Sequence, residues 1–323
     1  MAVYTHLSAS EIADFLGDYD VGVLRSAKGI AEGVSNSNWI VETDDDGTSR
    51  RFILTVFEAR TEAAELPFFL GLLDHLAAAG LPVPRTIHTR TGELTRLARG
   101  KPAALIEFLP GVSIEDPDAS QARGVGIALA DLHLATRDFA QTRASSLPIS
   151  TCVEMLRANA ARFDEIDTKL ARILPDCGAG VLAAWPGDLP AGTIHADLFP
   201  DNVLFVDGSV TGLIDFYFAC TGTLAFDLAV AHAAWSFSAA DNSFRPGIGA
   251  ALIAGYESRR ALSPEERAAL PILAQGACLR FVATRVEDWF ATPADGLVRR
   301  KDPMEFARRL AFYAGEGEAA FSQ

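Results

Sequence analysis

The sequence predicts an α+β protein with two lobes, a small β-rich N-terminal lobe and a larger, mainly helical C-terminal lobe. In roughly the first hundred residues, apolar and small polar residues alternate as they do in strands, with one helix among them. After Pro110-Gly111 the apolar residues recur at helical spacing instead. We therefore expect two domains, residues 1–109 and 110–323, joined by a hinge, with a ligand pocket where they meet.

The N-terminal lobe contains five predicted strands and one helix. The helix covers residues 62–79, because apolar residues recur there at spacings of three and four, and it ends at Gly80 before Pro82 and Pro84. The strands are predicted at residues 21–30, 33–43 and 51–57, with two shorter ones within 85–109.

The C-terminal lobe contains six predicted helices and one β-hairpin. The hairpin consists of two apolar strands around Asp207-Gly208, a dipeptide typical of two-residue turns. Its first strand follows the loop that contains His195, Asp197 and Asn202, and its second strand ends at Asp215. Because both ends of a hairpin lie together, these side chains are predicted to meet. The helices are predicted at about residues 119–136, 151–174, 224–238, 246–260, 264–290 and 302–320.

Composition places the chain among globular proteins and argues against several partners. Its 323 residues, 49% apolar and 22% charged, suffice for two cores. A net charge of −14 repels nucleic-acid backbones, so nucleic acid is not expected as a partner. No apolar run approaches the ~18 residues of a membrane span, and the N-terminus has no secretory signal. We expect a cytoplasmic protein without membrane contact, and no obligatory protein partner is evident.

The four cysteines, Cys152, Cys177, Cys220 and Cys278, are far apart and lie mostly among apolar residues. They form no Cys-x-x-Cys pair and no histidine cluster accompanies them, so no zinc site is predicted. Buried, reduced thiols fit a cytosolic protein.

The loop and the hairpin together indicate phosphoryl transfer from ATP. This reaction needs an aligned hydroxyl and neutralised charge, and little covalent chemistry from the protein. Asp197 is the candidate base that orients the acceptor hydroxyl and accepts its proton. Asn202 and Asp215 offer hard oxygen atoms and are the candidate ligands of Mg²⁺. Taken alone, Asp197 would be interpreted as a turn or cap residue, and Asn202 and Asp215 have similar explanations, but their joint spacing favours the catalytic interpretation.

Two further residues are predicted to support this loop. His195 has apolar neighbours, so we interpret it as structural, holding the loop through imidazole hydrogen bonds. Asp227 lies in the first turn of a predicted helix, where free amides favour a carboxylate. It either caps that helix or reaches back to brace the loop.

Phosphate contacts are only weakly marked in the sequence. Residues 28–38 join the first two strands and are small and polar enough for backbone amides to approach phosphates. Lys28, Ser35 and Asn36 are the candidates there. The chain has no Walker loop, since no Gly-x-x-x-x-Gly-Lys-Ser/Thr occurs.

Arg280, Arg285 and Asp288 are the candidate substrate-binding residues. All three lie on one predicted helix, and arginines among so many apolar residues usually have anionic partners. The arginines either recognise a substrate carboxylate or pair internally with Glu287 or Asp288.

Together these residues resemble the aminoglycoside phosphotransferase-like kinases. The loop pattern His-x-Asp-x-x-x-x-Asn, followed by an Ile-Asp-Phe strand, is matched by His195, Asp197, Asn202 and Asp215. Within that group the chain looks like the type II homoserine kinases. The stretches that carry this closer resemblance are residues 33–41, 52–58, 65–70, 100–103, 279–285 and 299–303.

The resemblance implies a protein-kinase-like fold that transfers the γ-phosphoryl group of ATP to the side-chain hydroxyl of L-homoserine, a step toward threonine. It implies Asp197 as the base, with Asn202 and Asp215 holding Mg²⁺. It also implies that adenine lies against residues 106–109, where Glu107 and Leu109 are the candidates for that contact.

One position departs from the wider kinase pattern. The third strand usually supplies a lysine to the α- and β-phosphates, and Thr55 takes that place here. Lys28 and Lys101 are the candidate replacements.

Two alternatives stay open. A related kinase would phosphorylate an aminoglycoside, a choline-like alcohol or a sugar, although a polycationic aminoglycoside would favour an acidic cleft without arginines. A catalytically silent nucleotide-binding protein is the other alternative, and Thr55 is the feature that invites it.

Overall fold

The structure is a computed structural model that describes residues 5–30, 36–58, 62–292 and 300–322, apart from the side chains of residues 175–177. The chain divides into two compact units, Met1–Pro110 and Gly111–Gln323. We call them the N-terminal unit and the C-terminal unit.

Within the described residues, the N-terminal unit is an antiparallel six-stranded sheet with two α-helices. Five strands follow the order β1-β2-β3-β6-β4, and β5 pairs with another part of β6. The β2–β3 turn is Asp46-Gly47, and both residues have positive φ, as a tight hairpin turn requires. The elements are α1 (Ala9–Leu16), β1 (Val23–Ile30), β2 (Ser37–Asp45), β3 (Thr48–Val56), α2 (Leu66–Ala78), β4 (Thr86–Ile87), β5 (Arg96–Ala98) and β6 (Lys101–Glu107).

The two faces of this sheet differ in character. One face carries buried apolar side chains such as Trp39, Leu54 and Leu105, which form a core cluster with residues of α1. The other face carries Lys28 and Thr55, because Lys28 is paired with Ile40, Ile40 with Ile53, and alternate residues of a strand share a face. Lys101 has the parity of Leu105 and therefore belongs to the α1 face.

The C-terminal unit consists of seven helices and four short strands within the described residues. Helix α8 is 28 residues long and packs against α4, α6 and α9. The elements are α3 (Ala119–Ala135), α4 (Ile149–Asn159), α5 (Leu170–Ala183), β7 (Ala191–Ile194), β8 (Val203–Val206), β9 (Ser209–Leu213), β10 (Cys220–Thr223), α6 (Leu224–Trp235), α7 (Pro246–Glu257), α8 (Pro264–Ala291) and α9 (Pro303–Phe321).

Helices α3 and α7 approach until their backbones touch. A Cβ atom on Gly126 would lie 2.0 Å from the carbonyl oxygen of Leu252, and one on Gly255 would lie 2.1 Å from that of Arg123. Only glycine fits at these two positions, so the close contact between the helices depends on both glycines.

Five expectations about elements were wrong or incomplete. The N-terminal unit has a second helix, α1, besides the predicted one, and residues 85–109 contain three strands, β4, β5 and β6, instead of two. The single helix predicted at residues 151–174 is two helices, α4 and α5, separated by a 3₁₀ segment at Ala160–Glu165. Strands β7 and β10 pair antiparallel and were not predicted, because four-residue strands rich in glycine and threonine carry little periodicity. Helix α2 begins at Leu66, after a 3₁₀ turn at Ala63–Glu65.

Among the helices of the described residues, α8 is long and apolar enough to cross a membrane by length and composition. The helix was predicted at residues 264–290, but Arg280 and Arg285 interrupt its apolar residues, so no continuous apolar run marks it as a membrane span in the sequence. Of its most apolar window, 78% is buried inside the protein, as in the core helix of a globular protein.

Candidate active site

The β8–β9 hairpin places its two ends side by side, which confirms the predicted turn. Asp207 and Gly208 have φ values of 49° and 76°, the left-handed pair of a two-residue turn. Val203 pairs with Leu213, and beyond that rung the amide of Ile214 donates to the carbonyl of Asn202 at 3.0 Å. Asp215 therefore follows directly on the residue paired with Asn202.

The loop of residues 195–202, called the catalytic loop below, is fixed from beneath by Asp227. One carboxylate oxygen accepts from the amide of His195 and the other from that of Ala196, each at 2.7 Å. His133 Nε2 lies 3.0 Å from the same carboxylate, and both side chains are fully buried. Burial alone would raise the pKa of Asp227, but the hydrogen bond from His133 and the neighbouring charges outweigh it and lower the pKa.

These contacts decide between the two interpretations of Asp227. The helix that contains it, α6, has Thr223 at its N-cap, and the Asp227 carboxylate reaches back to the catalytic loop. His133 was not singled out in the sequence, because a single histidine on an apolar helix carries no signal of its partner 94 residues away.

The imidazole of His195 joins the catalytic loop to the end of β9. Its Nδ1 accepts from the amide of Asp197 at 3.2 Å, so Nε2 carries the hydrogen and donates to the carbonyl of Ile214 at 3.0 Å. The ring is completely buried, and burial lowers the pKa of His195. A neutral histidine with both nitrogens occupied suits the structural role that we predicted.

Asp197 lies between an amide and a guanidinium. Asn202 Nδ2 donates to the Asp197 carbonyl at 2.8 Å and lies 3.3 Å from its Oδ2. Arg280 Nη2 is 3.6 Å from Oδ1, and 18% of the Asp197 side chain is exposed. Burial raises the pKa of Asp197, and the positive charge of Arg280 opposes that rise. The carboxylate is therefore held in place by Asn202 and Arg280 while part of it faces outward.

Asp215 combines an unusual backbone conformation with a carboxyl whose pKa is raised. Its backbone is left-handed, with φ 64° and ψ 58°, which few residues other than glycine, asparagine and aspartate adopt. Asp215 is exposed, yet the atoms around its carboxyl group desolvate it, and the charges of Asp197 and Asp201 repel its ionised form. Together these effects raise the pKa of Asp215 to about 7.

The donor set around Asp215 fits one hard divalent cation. Crowded carboxylates with a raised pKa are stabilised by a cation, and Asn202 contributes an amide oxygen. Within residues 5–30, 36–58, 62–292 and 300–322, no three His, Cys, Asp or Glu side chains gather as a metal site. Two protein ligands are what Mg²⁺ usually takes where phosphates and waters supply the rest.

The two arginines of α8 have different surroundings. The Arg280 guanidinium donates to the carbonyl of Ala196 and lies 5.1 Å and 4.7 Å from the ring centroids of Phe218 and Phe281. Arg280 thus belongs to the catalytic loop.

Arg285 is occupied by α9. Its Nη1 donates to Glu305 Oε2 at 2.6 Å and to the Asp302 carbonyl at 2.9 Å. The internal partner expected from sequence, Glu287 or Asp288, is thus replaced by a residue of another helix. Asp288 is half-buried on α8. These contacts favour a structural role for Arg285 over direct contact with substrate.

A cavity of about 490 Å³ opens beside the catalytic loop, within the C-terminal unit. We call it the large cavity. Its walls are mostly apolar and include Trp185, Phe218 and Phe226, while Ala196 and Arg280 line the side next to Asp197. Such a cavity suits a small organic ligand with an anionic group near Arg280.

The residues predicted to meet nucleotide lie in the N-terminal unit, and they differ in how they are held. Lys28 is exposed on the Thr55 face of the sheet. Lys101 contacts the Glu58 carboxylate and donates to Thr5 Oγ1 at 2.8 Å on the opposite face. Thr55 Oγ1 is buried and donates to Asn38 Oδ1 at 2.8 Å.

The remaining candidates fall on the loop and on the last strand. Ser35 lies outside the described residues. Asn36 is buried, and its Oδ1 accepts from the amide of Glu58 at 3.2 Å. Glu107 accepts from the amide of Arg85 at 3.3 Å, and Leu109 is half-buried.

Known proteins resemble this chain in sequence and in fold. The chain matches the phosphotransferase enzyme family over residues 26–262. A homoserine kinase of Azorhizobium caulinodans is 46% identical over 99% of this chain and 98% of its own length. One of Methylobacterium radiotolerans is 48% identical over 97% of this chain and 96% of its own.

Among solved structures, a spectinomycin phosphotransferase in complex with ADP and spectinomycin has a TM-score of 0.69. It covers 95% of this chain and 94% of its own, at 14% identity, so it shows the fold alone. That fold is the protein-kinase-like one predicted from the sequence.

Proposed function

The chain belongs to the phosphotransferase enzyme family and, within it, to the homoserine kinases, and from this we propose that it phosphorylates the side-chain hydroxyl of L-homoserine with ATP. The observation that carries the proposal is the joining of Asp197, Asn202 and Asp215 by one hairpin and one buried brace. Its product is O-phospho-L-homoserine, an intermediate of threonine biosynthesis.

In the proposed reaction Asp197 orients the homoserine hydroxyl and accepts its proton. The hydroxyl oxygen forms a bond to the γ-phosphorus while the bond from that phosphorus to the β–γ bridging oxygen breaks, and ADP leaves with the electron pair. The Arg280 guanidinium next to Asp197 favours the ionised carboxylate that this role needs. The fixed backbone of the catalytic loop keeps the carboxylate aligned without reorganisation.

We assign the Mg²⁺ that accompanies ATP to Asn202 and Asp215. When bound, the ion neutralises charge on the phosphates. The crowding of Asp215 by Asp197 and Asp201 supports this assignment, because a cation relieves their mutual repulsion.

We propose that the large cavity receives homoserine, with its carboxylate toward Arg280 and its hydroxyl toward Asp197. A guanidinium lining a mostly apolar cavity supports this orientation. Arg285 is then a structural residue of α8 and not a contact of homoserine, because it already binds Glu305.

We assign nucleotide binding to the N-terminal unit and phosphoryl transfer to the C-terminal unit. Of the two candidate cations for the phosphates, we favour Lys28, because it lies on the same face of the sheet as Thr55 and Lys101 lies on the other face. Asn36, Glu107 and Leu109 remain assigned to the phosphate loop and the adenine side. The enzyme is proposed to work in the cytoplasm.

A second acceptor class has one observation in its favour. The large cavity is in the size range of pockets that hold drug-sized ligands, which is more than homoserine requires. A larger alcohol, such as an aminoglycoside or a choline-like substrate, is the alternative acceptor.

Release of ADP over a panel of acceptors decides between them. The panel contains L-homoserine, L-serine, choline and kanamycin, each at several concentrations with saturating ATP and Mg²⁺. We expect kcat/KM for homoserine to exceed that of every other acceptor by about 100-fold or more. Turnover of choline or kanamycin without turnover of homoserine would contradict the substrate and leave the kinase chemistry standing.

A further inference from the structure

Lys301 reaches the catalytic loop from the turn that precedes α9. Its Nζ lies 4.0 Å from Oδ2 of Asp201, and 63% of the lysine side chain is exposed. Burial raises the pKa of Asp197 and of Asp215, and the charge of Lys301 opposes the rise at both. The lysine is thus a cation at the edge of the catalytic loop.

The backbone around Lys301 is fixed on both sides. Arg300 Nε donates to the carbonyl of Thr292 at 2.9 Å, and its guanidinium lies 5.2 Å from the ring centroid of Trp289. On the other side, Arg285 holds the carbonyl of Asp302 at 2.9 Å. Arg300 and Arg285 thus connect the residues on either side of Lys301 to α8 and its C-cap, while the lysine side chain is exposed.

This frame gives Arg285 a purpose that the sequence did not reveal. Arg285 is buried, with 9% of its side chain exposed, and it binds both Asp302 and Glu305. A lysine whose only role is to keep the protein surface hydrated would not need a buried arginine to hold the backbone beside it.

The negative charges around the catalytic loop would be stabilised by a cation that can move during the reaction. Asp197, Asp201 and Asp215 interact, and during transfer negative charge spreads over the phosphoryl oxygens. Arg280 is buried and committed to the Ala196 carbonyl, so its guanidinium stays on the loop. Lys301 has a compact charge on a flexible stem and no short ion pair to break.

We propose that Lys301 is a further catalytic residue, whose ammonium contacts the phosphoryl group as it passes from ATP to the acceptor. The proposal rests on the proposed function. Lys301 gains and loses no proton: the hydroxyl proton goes to Asp197, the oxygen–phosphorus bond to ADP breaks, and that to the acceptor forms. The lysine contributes charge and hydrogen bonds that strengthen in the transition state.

Substitution of Lys301 by methionine tests this role, because methionine keeps length and removes charge. We expect Lys301→Met to lower kcat by about 30-fold or more, with KM for ATP and for homoserine within about threefold of wild type. Lys301→Arg keeps the charge and is expected to retain kcat within about fivefold. Lys169→Met, at an exposed lysine of the same unit, is the matched control and should leave kcat unchanged.

A binding measurement that needs no acceptor gives a second readout. Calorimetry compares the affinity for Mg²⁺-ADP with that for Mg²⁺-ADP plus aluminium fluoride, which imitates the transferring phosphoryl group. In Lys301→Met the affinity for the aluminium fluoride complex should fall by about tenfold or more, while that for Mg²⁺-ADP stays the same. Substitution of a residue that only stabilises the fold would not lower one of these two affinities selectively.

The outcomes separate this inference from the function. If the wild-type enzyme phosphorylates no acceptor on the panel, the proposed function fails. If wild type is active and Lys301→Met keeps more than a third of its kcat, the role of Lys301 is refuted alone. A rise in KM for homoserine at constant kcat would also overturn it, since Lys301 would then bind the substrate carboxylate.

Discussion

At the scale of single residues, the site depends on buried groups that never touch substrate. Asp227 accepts two backbone amides of the catalytic loop and is itself held by His133. The sequence located Asp227 and left its role open, because a first-turn aspartate looks alike whether it caps or braces. The brace becomes visible only when α6 is placed under the loop, which is a tertiary fact.

Replacing Asp227 by asparagine should disturb this brace. The new amide group presents N–H donors to the amide of His195 or Ala196, so one buried donor loses its acceptor, at about 1–3 kcal/mol. We expect kcat to fall by about tenfold or more and the Tm to decrease, measured by ADP release and thermal unfolding. Asp241→Asn, at an exposed aspartate in a surface turn, is the control. Wild-type kinetics in Asp227→Asn would show that the brace does not position Asp197.

The raised pKa of Asp215 predicts a pH-dependent affinity for Mg²⁺. Below about 7 the carboxyl is protonated, and a proton must leave before the metal binds. Apparent Mg²⁺ affinity should therefore be constant above pH 8 and fall by up to about tenfold per pH unit well below 7. Metal titrations of turnover between pH 5.5 and 8.5 measure it, with Asp215→Asn expected to abolish the dependence. The same Mg²⁺ requirement at pH 6 and pH 8 would remove Asp215 as a ligand.

At the scale of elements, hairpins with strong turn chemistry were predictable and short ribbons were not. Asp207-Gly208 identified the β8–β9 turn from the sequence because two successive left-handed residues are needed there. Strands β7 and β10 have four residues each and reveal themselves only by pairing. Likewise, the sequence offered Arg285 either a substrate carboxylate or a partner within its own helix, but its partner Glu305 lies on α9. Partners across elements leave no periodic trace in a sequence.

The contact between α3 and α7 predicts an intolerance to side chains at Gly255. A Cβ there meets the backbone of Arg123 at 2.1 Å, and backbone cannot move aside as a side chain can. We expect Gly255→Ala to lower the free energy of unfolding by about 2–4 kcal/mol, measured by urea denaturation. Gly315→Ala in α9 is the matched control: nothing lies within 4 Å of its Cβ, so it should stabilise by about 0.5–1 kcal/mol. Equal stability of the two variants would contradict the packing.

At the scale of the whole molecule, each unit has its own core and its own share of the proposed task. The sheet of the N-terminal unit separates a face with Lys28 and Thr55 from a face packed on α1. From the sequence, Lys28 and Lys101 were equally good candidates for the phosphate contact. The face of the sheet on which each lysine lies can be assigned only when the register of the strands is known. The C-terminal unit contains the catalytic loop, the large cavity and Lys301.

The two lysines should therefore behave differently when changed to methionine. Lys28→Met should raise KM for ATP by about tenfold and leave the Tm unchanged, because the side chain is exposed on the proposed nucleotide face. Lys101→Met should leave KM for ATP within about threefold and cost about 1 kcal/mol of stability, because Glu58, largely buried, loses its cation. Kinetics with ATP as the varied substrate and thermal unfolding distinguish them. A raised KM for ATP in Lys101→Met, with an unchanged KM in Lys28→Met, would instead identify Lys101 as the phosphate ligand.

The construction of the large cavity has an evolutionary consequence. Its apolar walls come from Trp185, Phe226 and one face of the β7–β10 ribbon, whereas the groups proposed for transfer lie on the catalytic loop and the hairpin. Mutations can therefore reshape what is accepted without touching what reacts. New acceptor preferences can arise by small steps that each leave a working enzyme, a route open to any lineage that inherits this architecture.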